Sequence, residues 1–184
     1  MTDLPEGTYS FGPTEGQLLV KVFREGVAAR VGHDLVLEAR SWMGKAAVGP
    51  NPSASTLEVT VDVASLSIVD AVGGAKPLSR SDRGDIKRNI EEKVLNVRSF
   101  PTVSFASTGV IWSSDSELTL NGDLSIMGKS RPVEMRMRIG GGRARGSFTV
   151  TQTCWGIKPF TALMGALKVR DAVEVSLDVA VPAA

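Results

Sequence analysis

The sequence predicts a mainly β protein, an antiparallel barrel of about eight strands with one long helix. Most of the chain alternates apolar and polar residues with a period of two, the pattern of a strand that buries one face. Only residues 79–97 show the wider apolar spacing of an amphipathic helix. One helix covers only part of one sheet, so we expect the remaining apolar faces to close on themselves.

The clearest alternation predicts a β-hairpin at residues 118–139, LTLNGDLSIMGKSRPVEMRMRI. Every second residue from Leu118 to Ile126 is apolar or glycine, and the alternation resumes from Val133 to Ile139. We expect the turn at residues 128–130, and we expect Pro132 at the first position of the second strand because proline lacks an N–H. The hairpin must cover its apolar face with more sheet or with a bound apolar molecule.

Several further strands are predicted before the helix. Residues 7–11 and 17–24 flank a turn rich in glycine, and residues 35–48 form a strand with an expected kink at Gly44. Residues 56–63 alternate most regularly, with leucine and valine at the inward positions. These stretches add one-faced strands to the predicted sheet.

The predicted helix covers residues 79–97. Its expected N-cap is Ser81 or Asp82, whose side-chain oxygens can accept hydrogen bonds from the first turn. Because Glu91 and Glu92 balance the basic residues on the charged face, we expect that face to be solvated rather than to bind nucleic acid. The apolar face consists of Ile86, Ile90, Val94 and Leu95.

After the helix, alternation predicts strands at residues 102–112, 145–153 and 173–181. Residues 155–169, here called the lid segment, are apolar without alternation, and we expect them to close one end of the barrel. The expected core anchors of the lid segment are Trp155, Phe160, Leu163 and Met164.

The composition argues against several classes of protein. A net charge of +1, from 21 basic and 20 acidic residues, provides no overall field to hold nucleic acid or an anionic membrane. No apolar run approaches the ~20 residues that span a bilayer. The single cysteine, Cys154, cannot form an internal disulfide, and the N-terminus lacks the pattern of a secretion signal. We therefore expect one cytoplasmic domain comprising residues 1–184.

His33 is the only histidine, and imidazole can bind a metal or act as a base. No second histidine exists, Cys154 lies far along the chain, and no acidic partners stand out as ligands. No Gly-x-Ser-x-Gly motif supplies a serine nucleophile. We expect His33 to hydrogen-bond its own loop beside Asp34, and we predict no metal, no cofactor and no catalytic residue.

Three segments carry a further signal: GHDLVLEA at residues 32–39, SDRGDIKRNIEEKVLNVRSFPTVSFAS at residues 81–107, and LNGDLSIMGKSRPVEMRMRI at residues 120–139. The most specific units are Phe-Pro-x-x-x-Phe at residues 100–105 and Gly-Asp-Leu-Ser-Ile-x-Gly-x-x-x-Pro-Val at residues 122–133. These segments resemble the YceI-like family of lipid-binding proteins, also described as polyisoprenoid-binding.

The resemblance covers residues 7–181 and implies a lipocalin-like barrel around an elongated apolar channel, with a helix packed against it. Members are often dimers, so the resemblance also implies a homodimer as one form of assembly. The family has no established catalytic residues. Relatives often carry arginine where this chain has Gln152, so the resemblance does not extend to a charged headgroup contact there.

We therefore predict a non-catalytic carrier that holds a long apolar molecule, a polyisoprenoid or fatty-acyl chain, in the barrel lumen. One alternative is a structural or stress-response module with a filled barrel, since alternation is the same whether inward side chains meet each other or line a channel. A third hypothesis, an enzyme acting on such a lipid, lacks a nucleophile with an adjacent base. The predicted ligand-binding residues are Val20, Val22, Leu37, Val59, Val61, Phe105, Leu120, Leu124, Val133, Met135 and Met137.

Overall fold

The structure is a computed structural model, and it describes residues 5–181. Within these residues the chain forms fourteen β-strands, one α-helix and several single helical turns. The strands are β1 (Gly7–Phe11), β2 (Gly16–Val22), β3 (Arg24–Glu25), β4 (His33–Ala39), β5 (Trp42–Val48), β6 (Thr56–Asp62), β7 (Leu66–Gly73), β8 (Thr102–Trp112), β9 (Glu117–Ile126), β10 (Lys129–Gly140), β11 (Arg143–Thr151), β12 (Thr161–Ala162), β13 (Leu167–Val169) and β14 (Ala172–Ala180).

Eleven strands form one curled antiparallel sheet, in the order β1-β5-β6-β8-β9-β10-β11-β14-β2-β4-β7, and β12, β13 and β3 form a small second sheet. Although β4 and β5 lie near opposite ends of this order, only Arg40 and Ser41 separate them in the chain. The two ends of the sheet meet at this corner, where Arg40 N donates to Ser65 O at 3.3 Å and Asp62 N donates to Ser41 O at 3.0 Å. The predicted fold class, a mainly β barrel with one helix, is confirmed.

The strand count exceeds the predicted eight because three long runs each comprise two strands and because β3, β12 and β13 form the small second sheet. Residues 7–22 form β1 and β2, residues 33–48 form β4 and β5, and residues 56–73 form β6 and β7. The expected kink at Gly44 is wrong, since the bend in the second run falls between β4 and β5 and Gly44 lies within β5. Counted as continuous runs, these three together with β8, β9, β10, β11 and β14 make the eight walls of the barrel.

The predicted hairpin is confirmed as β9 and β10, with Met135 opposite Leu120. Its turn is tighter than expected, because Ile126 pairs directly with Lys129. The two linking residues, Met127 and Gly128, have φ values of 49° and 73°. Two left-handed residues in succession form the two-residue turn whose twist matches that of the flanking strands.

Pro132 is not at the first position of its strand but inside β10, opposite Asp123. The structure shows why this position tolerates proline. β10 pairs with β11 only from Arg136 onward, so near Pro132 one side of β10 has no strand beside it in the described chain. A missing N–H on that side costs no hydrogen bond between strands.

The predicted helix is confirmed as α1 (Arg80–Asn89), which continues as a π-helical turn at Ile90–Val94 and so ends before the expected boundary. The N-cap is Ser79 rather than Ser81 or Asp82. Ser79 Oγ accepts from Asp82 N at 3.1 Å, and Asp82 Oδ2 accepts from Ser79 N at 2.9 Å, a reciprocal capping box. Among the described residues, no helix is both long and apolar enough to cross a membrane.

The charged face of α1 is only partly solvated, because it packs on the edge strand β7. Lys87 Nζ donates to Ala64 O at 2.7 Å and to Leu66 O at 3.0 Å. Arg83 Nη1 donates to Ile68 O at 3.2 Å. These hydrogen bonds fasten the helix to one end of the barrel and orient its apolar side toward the interior.

Candidate apolar binding site

The curled sheet and the helix enclose an apolar cavity of about 210 Å³, here called the helix-side cavity. Inward residues of the strands form its walls. Ile90, Val94 and Leu95 cover it from the helix, and Phe160 and Val169 cover it from the lid segment and β13. Of the 25 described residues that line the cavity, only Gln152 has a polar side chain.

The structure places eight of the eleven predicted ligand-binding residues around this cavity. They are Val20, Val22, Leu37, Val59, Val61, Phe105, Leu124 and Met135. Leu120 and Met137 instead line a second cavity of about 540 Å³, here called the distal cavity, at the other end of the strands, where exposed polar residues such as Thr8 and Glu15 also line it. Val133 lines neither cavity and packs, partly buried, against the core. Their positions are thus known, whereas their contact with a ligand stays a prediction.

Leu177 lines both cavities. Met135 faces the helix-side cavity and Met137 the distal one. A Cβ atom on Gly146 would lie 2.8 Å from Met137 Cγ and 3.2 Å from Met135 Cγ, so both side chains extend across the space that this glycine leaves open. Two flexible thioethers therefore lie at the boundary between the cavities.

Gln152 is buried at the lid end of the cavity, with 6% of its surface exposed. Its Nε2 donates to Arg170 O at 2.9 Å, and its backbone N donates to Asp171 O at 2.9 Å. These bonds tie the end of β11 to the start of β14. The described lining residues include no ionisable side chain, so the cavity presents neither an acid nor a base to a bound molecule.

The lid segment closes the cavity through only part of its length. Trp155 is buried, with Nε1 donating to Leu124 O at 2.9 Å, and Phe160 lines the cavity. The expectation that Leu163 and Met164 are core anchors is wrong, since they are 57% and 106% exposed. Their backbone turns outward in a left-handed conformation, with φ of 51° and 54°.

Eight cavity residues outside the large sheet are missing from the predicted set: Ile90, Val94, Leu95, Val63, Gln152, Ile157, Phe160 and Val169. The apolar stripe of the helix contains the first three and could have assigned them to the interior. No periodic pattern marks the last two, because they belong to the irregular lid segment and the three-residue strand β13.

His33 lies outside both cavities and bonds differently from the expectation. Its Nε2 lies 2.9 Å from Lys76 O, in the segment between β7 and α1, rather than bonding within its own loop. The neighbouring Asp34 accepts from Arg24 N at 2.8 Å. No group of three His, Cys, Asp or Glu side chains in residues 5–181 is placed to hold a metal ion.

Solved structures share this fold. Burkholderia cenocepacia BcnA aligns with a TM-score of 0.66 at 13% identity, covering 90% of this chain and 96% of its own. A Campylobacter jejuni YCEI protein aligns with a TM-score of 0.59 at 12% identity, covering 76% and 80%. A polyisoprenoid binding domain from Saccharophagus degradans, implicated in plant cell wall breakdown, aligns with a TM-score of 0.55 at 6% identity, covering 91% and 98%. At these identities the likeness concerns the fold alone.

Family membership rests on the sequence itself. None of the curated proteins compared with the chain matches it. The sequence model of the YceI-like domain, however, matches residues 25–181, far more than half of the chain. The chain therefore belongs to the family of YceI-like domains.

Proposed function

We propose that the protein is a non-catalytic carrier that binds one long apolar molecule, a polyisoprenoid or fatty-acyl chain, inside the barrel. The observation that carries this proposal is the helix-side cavity, in which Gln152 is the only polar side chain among the described lining residues. Moving apolar surface out of water is favourable by roughly 25 cal/mol of free energy per Å². A polar molecule would instead lose hydrogen bonds to water that this lining cannot replace. The chemistry of the walls thus favours a hydrocarbon.

The size of the interior supports a ligand that passes through both cavities. An apolar cavity of ~150 Å³ holds a benzene-sized molecule, so the helix-side cavity of about 210 Å³ accommodates only part of a long chain. The distal cavity of about 540 Å³ adds the remaining room. Met135 and Met137 lie between them, and unbranched thioethers can rotate to let a chain pass. The ligand's tail would then extend from the helix end toward the opposite end of the barrel.

Membership of the YceI-like family supports the same proposal, as does the polyisoprenoid-binding description of the Saccharophagus degradans domain. The competing filled-barrel module would need the interior to be occupied by side chains. The two cavities, both lined by inward residues, favour the carrier over the filled-barrel module. A cytoplasmic location, a homodimer and the single-domain organisation stay predictions.

Organic extraction of natively purified protein, followed by mass spectrometry, tests the proposal. We expect one long-chain apolar species at near-stoichiometric yield. Delipidated protein should then gain thermal stability when polyprenyl or fatty-acyl chains are added, because a ligand that binds only the native state stabilises it by about 2.7 kcal/mol at a hundred times Kd. If extraction yields nothing and no added chain raises the Tm, the filled-barrel module replaces the carrier.

A further inference from the structure

Two loops at the helix end of the barrel expose apolar side chains next to each other. Val27, Val31, Leu163 and Met164, here called the apolar tips, are 94%, 50%, 57% and 106% exposed. β3 pairs with β13 at the base of the loops, and Ala28 N donates to Ala166 O at 2.9 Å. The apolar tips therefore belong to one joined surface rather than to separate loops.

The backbone holds part of this surface outward against a conformational cost. Leu163 and Met164 are consecutive left-handed residues, with φ of 51° and 54°, and Gly165 follows with φ of 87°. Side chains other than glycine, asparagine and aspartate rarely adopt this conformation. The left-handed backbone places the Leu163 and Met164 side chains where they neither bury apolar surface nor contact the core. Strain kept for such an exposed arrangement indicates that the exposure has a function.

Basic residues predominate in the two chain segments that carry the apolar tips. Residues 25–32 and 158–170 contain four exposed basic side chains and one acidic side chain, Glu25, whereas the whole chain has a net charge of only +1. The flanking carboxylates are engaged elsewhere, Asp34 with the backbone of Arg24 and Asp171 with Thr153. The four basic residues are Arg30, Lys158, Lys168 and Arg170.

We propose that the apolar tips dock the helix end of the barrel on an anionic lipid surface. The four apolar side chains would enter the headgroup region, and the basic residues would pair with the lipid charges. The lid segment connects this surface to the interior, because Phe160 lines the cavity just before the exposed turn. Docking goes beyond the carrier function and does not require a ligand in the barrel.

A second copy of the chain fits this surface less well. A stable protein interface buries about 800 Å² on each partner, far more than four side chains at loop ends provide. Two such surfaces face to face would also bring like charges together, which opposes association. A lipid surface instead matches both the apolar and the basic parts.

Sedimentation of the full chain with phosphatidylcholine vesicles, with and without phosphatidylglycerol, tests the docking. We expect the protein to sediment with the anionic vesicles and to be released by high salt, which screens the charges. The double variant Leu163→Asn with Met164→Asn removes both apolar side chains but keeps residues that tolerate positive φ, so it should fold and bind about tenfold more weakly. Met43→Asn is the matched control, since Met43 is 66% exposed in β5, outside the two loops, and binding should not change.

Three results would overturn the docking. The wild-type protein could stay in the supernatant with anionic vesicles, or the double variant could bind them as well as the wild type does. Met43→Asn could also lose as much vesicle binding as the double variant. A concentration-dependent dimer that the double variant abolishes, without vesicle binding, would assign the surface to a second copy instead. Ligand loading of the double variant separates the two proposals. A variant that loads ligand but does not dock supports docking as a separate property, whereas wild-type protein that docks without loading any chain keeps the docking and refutes the carrier.

Discussion

The side chain of Met137 extends across Gly146, where a Cβ atom would lie 2.8 Å from its Cγ. Met135, two residues earlier in β10, also extends over Gly146, with its Cγ 3.2 Å from the same Cβ position. Met135 lines the helix-side cavity and Met137 the distal one, so two flexible side chains lie where the two cavities approach each other. A side chain that cannot move at this position should obstruct the interior.

We expect Met135→Trp to abolish loading of long apolar chains while the protein still folds. The indole ring would occupy the helix-side cavity, which Met135 lines, so the loss of stability should stay below the ~1–3 kcal/mol typical of overpacking a full core. Loading by delipidated protein and the free energy of unfolding in denaturant measure the two effects. Met43→Trp, on the exposed surface, is the control and should load normally. A large loss of stability with loading intact would point to a filled core.

Gly122→Ala should destabilise the protein by about 1–3 kcal/mol. Gly122 is buried, and a Cβ atom there would collide with the Phe105 ring and lie 2.6 Å from the backbone oxygen of Ala106. Gly84→Ala is the matched control, because nothing lies within 4 Å of the new methyl group on the exposed side of α1. That change should stabilise the protein by roughly 0.5–1 kcal/mol, as alanine favours a helix over glycine. Equal effects in denaturant melts would contradict the packing of Phe105 over Gly122.

Trp155→Phe should cost about 1–3 kcal/mol more than Trp42→Phe. Both indoles are buried, but Trp155 Nε1 donates to Leu124 O at 2.9 Å, whereas no described residue accepts from Trp42 Nε1. The volume lost is the same in both variants, so their difference in unfolding free energy reports the hydrogen bond lost at Trp155 together with the unpaired buried donor removed at Trp42. A Trp42→Phe variant as unstable as Trp155→Phe would show that volume, rather than the bond to Leu124, sets the cost.

The start of α1 should weaken in acid. The hydrogen bonds from the Ser79 side chain and backbone lower the pKa of Asp82 below its ordinary value of 3.8. The contribution of the carboxylate to the stability of the folded state is therefore complete above that value. It is lost as the pH falls through the lowered pKa of the folded state. The Tm difference between wild type and Asp82→Asn should be full at neutral pH and shrink as the pH falls below 3.8 through the lowered pKa. Asp123→Asn removes an exposed carboxylate from β9 as a control, and a difference that persists in acid would contradict the capping role.

The sequence predicted the strands that alternate without interruption, and β9 and β10 are the clearest case. It did not predict β7, because the pairing of β4 with β7 shifts register between Val36 and Leu37. Asp70 and Ile68 face these two residues, so Val69 is an extra residue in the ladder. An inserted residue reverses the inward and outward positions beyond it, and the period-two signal is lost.

The sequence also could not divide the predicted lumen residues between two cavities. Leu120 and Leu124 both face inward on β9, yet they line different cavities. Alternation gives the face of a strand but not the distance along the barrel at which the interior is open. That distance depends on how the inward side chains, Met135 and Met137 among them, fill the barrel.

The cationic side chains along β7 have a consequence for self-association. An edge strand has unpaired backbone carbonyls that can accept hydrogen bonds from a strand of another molecule. Such pairing is one route by which β-sheet proteins aggregate. Here Arg83 and Lys87 occupy carbonyls at Ile68 and Leu66, and Arg24 Nη1 donates to Val72 O at 3.0 Å. A foreign strand would have to displace three positive charges to add itself at this edge. The helix, together with Arg24 of β3, thus covers an edge at which another chain could pair, independently of anything the helix contributes to the cavity beneath it.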